Sequence, residues 1–487
     1  MERTFSLQPR IYDTLTRRLQ PLFEEGREEG LVFRMYCCGP TVYGPAHIGN
    51  FRTFLLQDVL RRLVETTGKS VRHVRNVTDV DDKTIRQSQA EGKRLVDFTA
   101  VWRERFQGDC AALGLLPPTE EPGAVAHIPD QIALIQRLIE KGHAYERAGS
   151  VYFRVGSFPQ YGKLSKLEAR KLLCDGQSSQ DSDEYEREAV SDFALWKARK
   201  PEDGENYWES PWGEGRPGWH IECSAMSVKY LGSAFDLHGG GADLIFPHHE
   251  NEIAQSEAAT DETFARLWMH VEHLTVAGSK MSKSLGNLYT LEDVVKKGFD
   301  PVELRYALVA GHYRKPLNFT WDSVAAAAAA LGRLQRFLER LKERQKQIAG
   351  ETEASVSDLI RDFGPFAPAW QALCDDLNTP EALGRVFGVI PNLTVRLEKM
   401  EREELDQARR GLVGIMRVLG IDSARKPRYP RAGDVPPDVA RIAEERWEAR
   451  LRKEWALSDR LRDELADRGW AVKDGKEGYE LTRHNAR

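Results

Sequence analysis

Hydrophobic and polar positions near the start of the chain follow the period of a strand, then of a helix, then of a strand again. The run LVFRMYCCG, residues 31–39, predicts a buried strand that enters a Gly/Pro turn. The run NFRTFLLQDVLRRLVETTG, residues 50–68, has apolar residues at helical spacing and ends at a glycine. SVRHVRNVTDV, residues 70–80, is again rich in β-branched residues. This order predicts a βαβ unit, and hence a parallel sheet that binds ligands at the carboxyl ends of its strands.

The pattern changes several times further along the chain. Helical stretches and a polar loop at 176–192 interrupt it, α/β character then returns, and from residue 321 the pattern is mostly helical, beginning with an alanine run at 325–330. A Pro-rich linker at 422–438 precedes a small terminal domain. We predict an α/β protein with a Rossmann-type parallel-sheet domain at 1–120 and 217–275, a connective insertion at 121–216, a linking domain at 276–320, a helical bundle at 321–421, and a linker with a small C-terminal domain at 422–487.

Composition places the chain among ordinary cytoplasmic proteins. It has 41 % hydrophobic and 30 % charged residues among 487. No apolar run approaches the roughly 20 residues of a membrane span, and the first residues lack the pattern of a signal peptide. Six scattered cysteines favour a reduced chain over a disulfide scaffold. Net charge is −5, but residues 425–487 carry 16 Lys/Arg against 13 Asp/Glu, a net of +3 that leaves −8 for the rest. A mildly basic end is compatible with RNA contact.

Two distant segments carry the chemistry of phosphate binding. HIGN, residues 47–50, lies at the start of the first predicted helix, where free N–H groups and the helix dipole favour phosphate oxygens. GSKMSKSLGN, residues 278–287, is a cationic Gly/Ser loop that can close over a triphosphate as pyrophosphate leaves. Each is a weak signal alone, but together they are the signature pair of class I aminoacyl-tRNA synthetases.

A third group of residues can hold a metal. Its candidate ligands are Cys37, Cys38, Cys223, His238, His248, His249, Glu250 and Glu252. Pro247 predicts a helix start, which places His248 and Glu252 at i and i+4 on one face; His249, at i and i+3 with Glu252, remains a competitor. Because side chains alternate along a strand, Cys37 is expected in the core, opposite Cys38. Cys38, Cys223, His248 and Glu252 would give Zn²⁺ two thiolates, one imidazole and one carboxylate. Spacing alone leaves open whether they do so or are two buried cysteines and ordinary polar residues of a helix.

Taken together, these motifs resemble the cysteinyl-tRNA synthetase family over nearly the whole chain. The resemblance is carried by MYCCGPTVYGPAHIGNFRTF, RNVTDVDDK, GWHIECSAMS, FDLHGGGADLIFPHHENEIAQSEA, KMSKSLGN, LRYALVAGHYRKPLNF and KEWALSDRLRDEL. It implies that the Rossmann-type domain is catalytic, that the linking domain carries the KMSKS loop, and that the C-terminal domain binds the anticodon.

The resemblance also implies a role for individual residues. The zinc ligands implied are again Cys38, Cys223, His248 and Glu252. The residues similar to the family's amino-acid pocket are Gly39, Thr78, Trp219 and His238. The nucleotide side falls on Pro40, Thr41, His47, Gly49, Asn50, Lys280 and Lys283, of which His47, Asn50, Lys280 and Lys283 are expected to be catalytic. Asn50 replaces the histidine usual in the family. The positions similar to anticodon-reading residues are Arg450, Trp455, Asp459 and Asp474.

The implied reaction joins L-cysteine to tRNA(Cys) through a cysteinyl-adenylate, with ATP as a substrate accompanied by Mg²⁺ and with one Zn²⁺ per chain. Zinc would bind the substrate thiol and thereby exclude serine, whose hydroxyl is harder and less acidic. We expect a cytoplasmic monomer without membrane contact. Two alternatives are a ligase of the same fold that joins cysteine to an amino sugar, and a non-catalytic zinc protein that binds RNA. The first would not need residues 321–487, and the second would not need KMSKS opposite HIGN.

Overall fold

The computed structural model describes residues 8–24, 32–167, 179–180, 192–281, 286–349, 362–422, 437–452, 454–474 and 479–483. The chain divides into two compact units, Met1–Ala424 and Arg425–Arg487. Among the described residues, no helix combines the length and the apolar character that crossing a membrane requires.

The described residues form both strands and α-helices. Within the described residues the strands are β1 (Arg10–Asp13), β2 (Arg18–Pro21), β3 (Phe33–Cys37), β4 (Val71–Arg75), β5 (Ala144–Arg147), β6 (Ser150–Phe153), β7 (Ser179–Gln180), β8 (Asp192–Ala198), β9 (Gly215–Pro217), β10 (Phe235–Gly241), β11 (Ala265–Val271), β12 (Leu274–Val276), β13 (Ser279–Lys280), β14 (Leu317–Phe319), β15 (Trp470–Asp474) and β16 (Tyr479–Arg483). The α-helices in the same residues are α1 (Ile48–Thr66), α2 (Asp82–Ala90), α3 (Leu95–Ala112), α4 (Ile128–Glu140), α5 (Trp219–Leu231), α6 (Glu250–Thr260), α7 (Leu291–Lys296), α8 (Pro301–Val309), α9 (Trp321–Ala349), α10 (Ala367–Cys374), α11 (Thr379–Arg396), α12 (Arg402–Leu419), α13 (Pro437–Leu451) and α14 (Trp455–Asp467).

The central sheet has the strand order β11–β10–β3–β4, and its neighbours pair in parallel. The predicted βαβ unit is formed by β3, α1 and β4. Strand β3 is buried along almost its whole length because a parallel sheet is covered on both faces. Helix α1 begins at Ile48, two residues earlier than the pattern predicts, because His47 and Asn50 form a capping box at its start.

The insertion is a small sheet with the order β5–β6–β8–β7, to which β9 adds along β8. Its inner face packs with α4 and with the helices α5 and α6 in one hydrophobic cluster, which includes Phe153, Phe193 and Trp196. Since α5 and α6 carry predicted metal ligands, the insertion buries one side of the site.

Arg52 in helix α1 binds the backbone of the segments that follow β11 and α8. The guanidinium of Arg52 donates to the carbonyl oxygens of His273 at 2.8 Å, Lys315 at 2.7 Å and His312 at 3.1 Å, and to that of Glu272.

Further along the chain, α9 to α12 form the predicted helical region. The predicted α/β class, with a parallel sheet followed by a helical region, is therefore confirmed.

The smaller unit packs α13 and α14 with the β15–β16 hairpin. Its core contains Val439, Ile442, Ala443, Leu461, Leu465 and Trp470. Trp455, at the start of α14, lies outside this core and is 54 % exposed.

Candidate active site

The loop between β3 and α1 begins at the carboxyl edge of the sheet. The Cys38 N–H donates to the Gly239 carbonyl of the neighbouring strand at 3.1 Å. The Gly39 N–H donates to Asn76 Oδ1 at 2.8 Å. A Cβ on Gly39 would lie 1.7 Å from the Asn76 carbonyl oxygen, so only glycine fits where the two segments meet. This close approach places Cys38 beside the ends of β4 and β10.

Four predicted metal ligands meet in the buried space beyond these strands. The ligand atoms of Cys38, Cys223, His248 and Glu252 all lie within 4.8 Å of one another. The two Sγ atoms are 3.9 Å apart, and Cys38 Sγ lies 3.6 Å from Glu252 Oε1. His248 Nε2 is 3.1 Å from the same carboxylate oxygen. Two thiols, an imidazole and a carboxylate suit a tetrahedral Zn²⁺ site.

A second set overlaps the first. Cys38, His238, His249 and Glu252 also bring their ligand atoms within 4.8 Å of one another. His249 Nε2 lies 3.3 Å from Cys38 Sγ, and His238 Nε2 lies 2.9 Å from Glu252 Oε2. His249, the competitor left open by spacing, therefore does reach the site.

The turn before α6 explains why both histidines reach inwards. Helix α6 begins at Glu250 rather than at Pro247, because the wider turn Ile245–His249 contains Phe246 in an extended conformation. The change of backbone direction lets consecutive side chains face one cavity. His248 stacks on Trp219, with ring centroids 4.4 Å apart, and His249 Nδ1 lies 2.7 Å from His270 Nε2.

The electrostatics of the site favour a bound cation. Burial opposes ionisation of Cys223, but hydrogen bonds from Cys38 and His248 outweigh burial and lower its pKa to about 6. Burial likewise opposes ionisation of Glu252, yet His238 and His248 lower its pKa to about 2. Burial disfavours imidazolium at His248, but Glu252 and Cys223 raise its pKa to about 10. These shifts share one cause: the cavity brings acidic groups close together in a buried space and so favours a positive charge beside them, which a metal ion would supply.

Residues of the predicted amino-acid pocket adjoin this donor set. Thr78 donates its hydroxyl hydrogen to Glu222 Oε1, and Glu222 Oε1 lies 4.0 Å from Cys223 Sγ. Trp219, which is half-buried, stacks on the ring of His248. His238 is buried and stacks on Trp268, with ring centroids 4.5 Å apart. Its Nε2 atom also contacts the carboxylate of Glu252. Gly39, Thr78, Trp219 and His238 are therefore brought together around the predicted metal site.

The nucleotide half is centred on the start of α1. His47 Nδ1 accepts from the Asn50 N–H at 3.3 Å, and Asn50 Oδ1 accepts from the His47 N–H at 3.1 Å. A Cβ on Gly49 would lie 3.0 Å from His47 Nδ1 and 3.4 Å from Met281 Sδ, so the start of the KMSKS segment lies against the HIGN turn. Burial lowers the pKa of His47, and the nearby Asp243 partly opposes this.

Other predicted nucleotide residues are only partly described. The Pro40 carbonyl accepts from the Thr78 N–H at 3.0 Å, and Thr41 pairs with Thr78 in a parallel bridge. Lys280 lies in β13 with a side chain outside the described part, and Lys283 lies outside the described residues altogether.

Cys37 faces away from the site, as the strand alternation predicts. It is fully buried, and burial, partly opposed by Arg75, raises the pKa of its thiol to about 12. Neither of the two possible ligand sets among the described residues includes Cys37, which is therefore a core residue.

The predicted tRNA-reading residues belong to the smaller unit. The Arg450 guanidinium lies 5.6 Å from the ring centroid of Trp455. Asp459 is exposed and lies 3.8 Å from Arg462. The side chain of Asp474, in β15, is outside the described part, as is nearly all of the polar loop 176–192. An exposed tryptophan beside an arginine offers a surface on which an unpaired base can stack.

Sequence reasoning missed two polar residues of the site, Glu222 and Asn76. Asn76 donates from Nδ2 to Glu222 Oε1 at 3.4 Å. Both lie within conspicuous segments, GWHIECSAMS and RNVTDVDDK, and Glu222 precedes a predicted zinc ligand directly. That adjacency was the available signal.

Comparison with known proteins gives matches along nearly the whole chain. Residues 25–329 match the family described as tRNA synthetases class I (C) catalytic domain, and residues 370–423 match the DALR domain. The chain is 50 % identical over 478 residues to the cysteine–tRNA ligase of Opitutus terrae, covering 97 % of this chain and 98 % of the relative. It is 43 % identical over 481 residues to that of Solibacter usitatus, covering 97 % and 99 %.

Solved structures of other synthetases share the fold. Methionyl-tRNA synthetase of Mycobacterium tuberculosis, in complex with methionyl-adenylate, superposes with a TM-score of 0.56 at 15 % identity, covering 80 % of this chain and 90 % of that chain. A LeuRS of Agrobacterium radiobacter, in a ternary complex, gives 0.60 at 12 % identity, covering 83 % and 87 %. At such low identity the similarity concerns the fold alone.

Proposed function

Because the chain belongs to the cysteine–tRNA ligase family of class I synthetases, we propose that it attaches L-cysteine to tRNA(Cys) with consumption of ATP. The observation that carries this proposal is the buried set of two thiols, an imidazole and a carboxylate at the carboxyl edge of the parallel sheet. A thiol-selective site beside a helix start suited to phosphate matches a substrate that must be told from serine and activated by ATP.

The donor set fits zinc, and we assign the ligands to Cys38, Cys223, His248 and Glu252. The lowered pKa of Cys223 supports this choice, since a thiolate is the form that binds metal. His238 would then hold the second carboxylate oxygen of Glu252, at 2.9 Å, and orient it. When bound, zinc would supply a soft Lewis acid for the substrate thiol and so discriminate against serine.

Residues at the start of α1 would act on the nucleotide. The carboxylate of cysteine attacks the α-phosphorus of ATP, which enters with Mg²⁺, and pyrophosphate leaves. We assign His47, Asn50, Lys280 and Lys283 to stabilising the charge that develops on the phosphates, while Pro40, Thr41 and Gly49 line the nucleotide path. The terminal ribose hydroxyl of tRNA then attacks the acyl carbon of the adenylate. Positioning and charge stabilisation are the main contributions asked of the chain.

We assign the recognition of the anticodon to the smaller unit, through Arg450, Trp455, Asp459 and Asp474, and retain the domain roles predicted from the sequence. A cytoplasmic location and a monomeric state are part of the same proposal. Gel filtration at micromolar concentration tests the monomer: a dimer-sized peak would contradict it.

Cysteine-dependent ATP–pyrophosphate exchange and charging of tRNA(Cys) test the reaction. We expect both, and exchange without charging of tRNA would instead favour another acceptor such as an amino sugar. Lys283→Ala should reduce exchange by orders of magnitude with little change in cysteine affinity.

Zinc content separates the two overlapping ligand sets. His248→Gln and Cys223→Ser should lose the metal, whereas His249→Gln, its matched control in the next position, should keep about one zinc per chain. The reverse result for the two histidine variants would assign the metal to the set that contains His238 and His249.

A further inference from the structure

Glu222 is a buried carboxyl group beside the predicted metal site that the reaction outlined above does not use. It is 2 % exposed, and its Oε1 atom lies 4.0 Å from Cys223 Sγ. The same oxygen accepts two hydrogen bonds, one from the Thr78 hydroxyl and one from Asn76 Nδ2 at 3.4 Å. A buried polar group with converging donors next to a substrate site has either a structural role or a role in recognition.

The direction of these hydrogen bonds follows from their neighbours. Asn76 Oδ1 accepts from the Gly39 N–H at 2.8 Å, so the amide group of Asn76 must turn its Nδ2 atom towards Glu222. With two donors directed at it, Oε1 is an acceptor. The single hydroxyl hydrogen of Thr78 is therefore committed to Glu222, and Thr78 Oγ1, which already accepts from Asn76 Nδ2 at 3.3 Å, can only accept from any further partner.

An oxygen that can only accept selects for a donor. Cysteine bound through its thiol at the metal has its ammonium group a short distance away, separated by Cβ and Cα. The ammonium carries only donors, whereas the substrate carboxylate carries only acceptors. A hydroxyl free to rotate could serve either group, but a hydroxyl fixed by Glu222 serves the ammonium alone.

We propose that Glu222 is a positioning residue that holds Thr78 as an acceptor for the ammonium group of substrate cysteine. This inference rests on the proposed function and deepens it. The Glu222–Thr78 pair thereby makes the site selective for thiols with a free α-amino group. The metal selects the sulfur, and the pair selects the amine.

Calorimetric titration of the zinc-loaded protein with three thiols tests the pair. The thiols are cysteine, cysteamine, which keeps the amine and lacks the carboxylate, and 3-mercaptopropionate, which keeps the carboxylate and lacks the amine. In Glu222→Met, which removes the acceptor that a glutamine would keep, we expect the affinities for cysteine and cysteamine to fall by roughly 10- to 100-fold, the scale of a hydrogen bond to a charged group. The affinity for 3-mercaptopropionate should stay within about twofold, because it makes no amine contact.

Variants of Thr78 give an independent arm that does not depend on the folding of Glu222→Met. Thr78→Val should lose cysteine and cysteamine affinity as Glu222→Met does, and Thr78→Ser, which keeps the hydroxyl, should retain it. The double variant Glu222→Met/Thr78→Val should be no weaker than either single variant, since the two residues act as one unit. Thr99→Val is the matched control: this buried hydroxyl donates to the Leu95 carbonyl at 2.9 Å, in α3.

An equal loss of affinity for all three thiols would overturn the inference. Glu222 would then only join α5 to the segment after β4 through its hydrogen bonds. Unchanged cysteine affinity in Glu222→Met or in Thr78→Val would overturn it as well. Failure of the proposed function is distinguishable, because the unmodified protein would then show no cysteine-dependent pyrophosphate exchange.

Discussion

Replacing Gly39 by alanine should disable the site without changing any polar side chain. The added Cβ would lie 1.7 Å from the Asn76 carbonyl oxygen and 2.8 Å from the carbonyl carbon. Both are backbone atoms that cannot rotate away. Because Cβ contacts below 3.0 Å essentially do not occur, the two segments must separate by at least 1.3 Å, the difference between 3.0 and 1.7 Å.

That separation falls on the contacts that define the pocket. The loop after β3 is joined to the end of β4 by the hydrogen bonds from Thr78 N–H to the Pro40 carbonyl, 3.0 Å, and from Val42 N–H to the Thr78 carbonyl, 3.1 Å. A shift of this size moves Thr78 relative to Cys38. Since misplacement by about 1 Å can cost roughly 100-fold in rate, kcat/KM for cysteine in pyrophosphate exchange should fall at least that far.

Gly44 provides a matched control in the same loop. A Cβ there would meet nothing within 4 Å, so Gly44→Ala should retain nearly full exchange activity. Steady-state exchange assays and thermal melting of both variants complete the comparison. The reasoning is refuted if Gly39→Ala keeps activity within a few fold of the unmodified protein, or if Gly44→Ala loses as much.

Three further predictions concern other parts of the molecule. Trp455→Ala should raise the KM for tRNA(Cys) by roughly 5- to 100-fold through loss of base stacking, with pyrophosphate exchange unaltered; equal KM values would remove Trp455 from tRNA recognition. Arg305→Met should lower the free energy of unfolding by about 2–4 kcal/mol in denaturant titrations, because it removes one of the two buried guanidinium partners of Asp58, leaving Arg62, and also removes the donor to the Leu419 carbonyl; a loss below about 1 kcal/mol would contradict this. Burial, with the charges of nearby arginines, lowers the pKa of His73 to about 3. As pH falls through about 6.5, the unfolded chain, in which this histidine has an ordinary pKa, therefore takes up the proton before the folded chain does. The free energy of unfolding should drop by roughly 2 kcal/mol between pH 7.5 and 5, and His73→Phe should flatten that part of the pH profile.

Local patterns in the sequence were sufficient for the parts of this protein that depend on neighbouring residues. The βαβ unit follows from strand and helical periods, and the position of His47 at a helix start follows from the capping box that it forms with Asn50. The relation of His248 to Glu252 is likewise local, and their side chains meet at 3.1 Å. In each case the geometry is fixed within a few residues by the backbone itself.

The family motifs extended this reach to residues that are far apart in the sequence. Cys38 and Cys223 were paired as ligands although 185 positions separate them, and their Sγ atoms lie 3.9 Å apart. Spacing alone left these ligands open, because nothing in the chain between them encodes the distance.

Only the tertiary structure decided which other groups reach the same cavity. It brought His249 to Cys38 and His238 to Glu252, so that two donor sets overlap. It also joined Glu222 to Thr78, 144 positions away, and placed Trp470 rather than Trp455 in the core of the smaller unit. Such contacts depend on how the helices pack on the sheet and on the direction of a single turn before α6. Packing sums over many weak interactions between distant segments, and no local period of hydrophobic and polar residues specifies it.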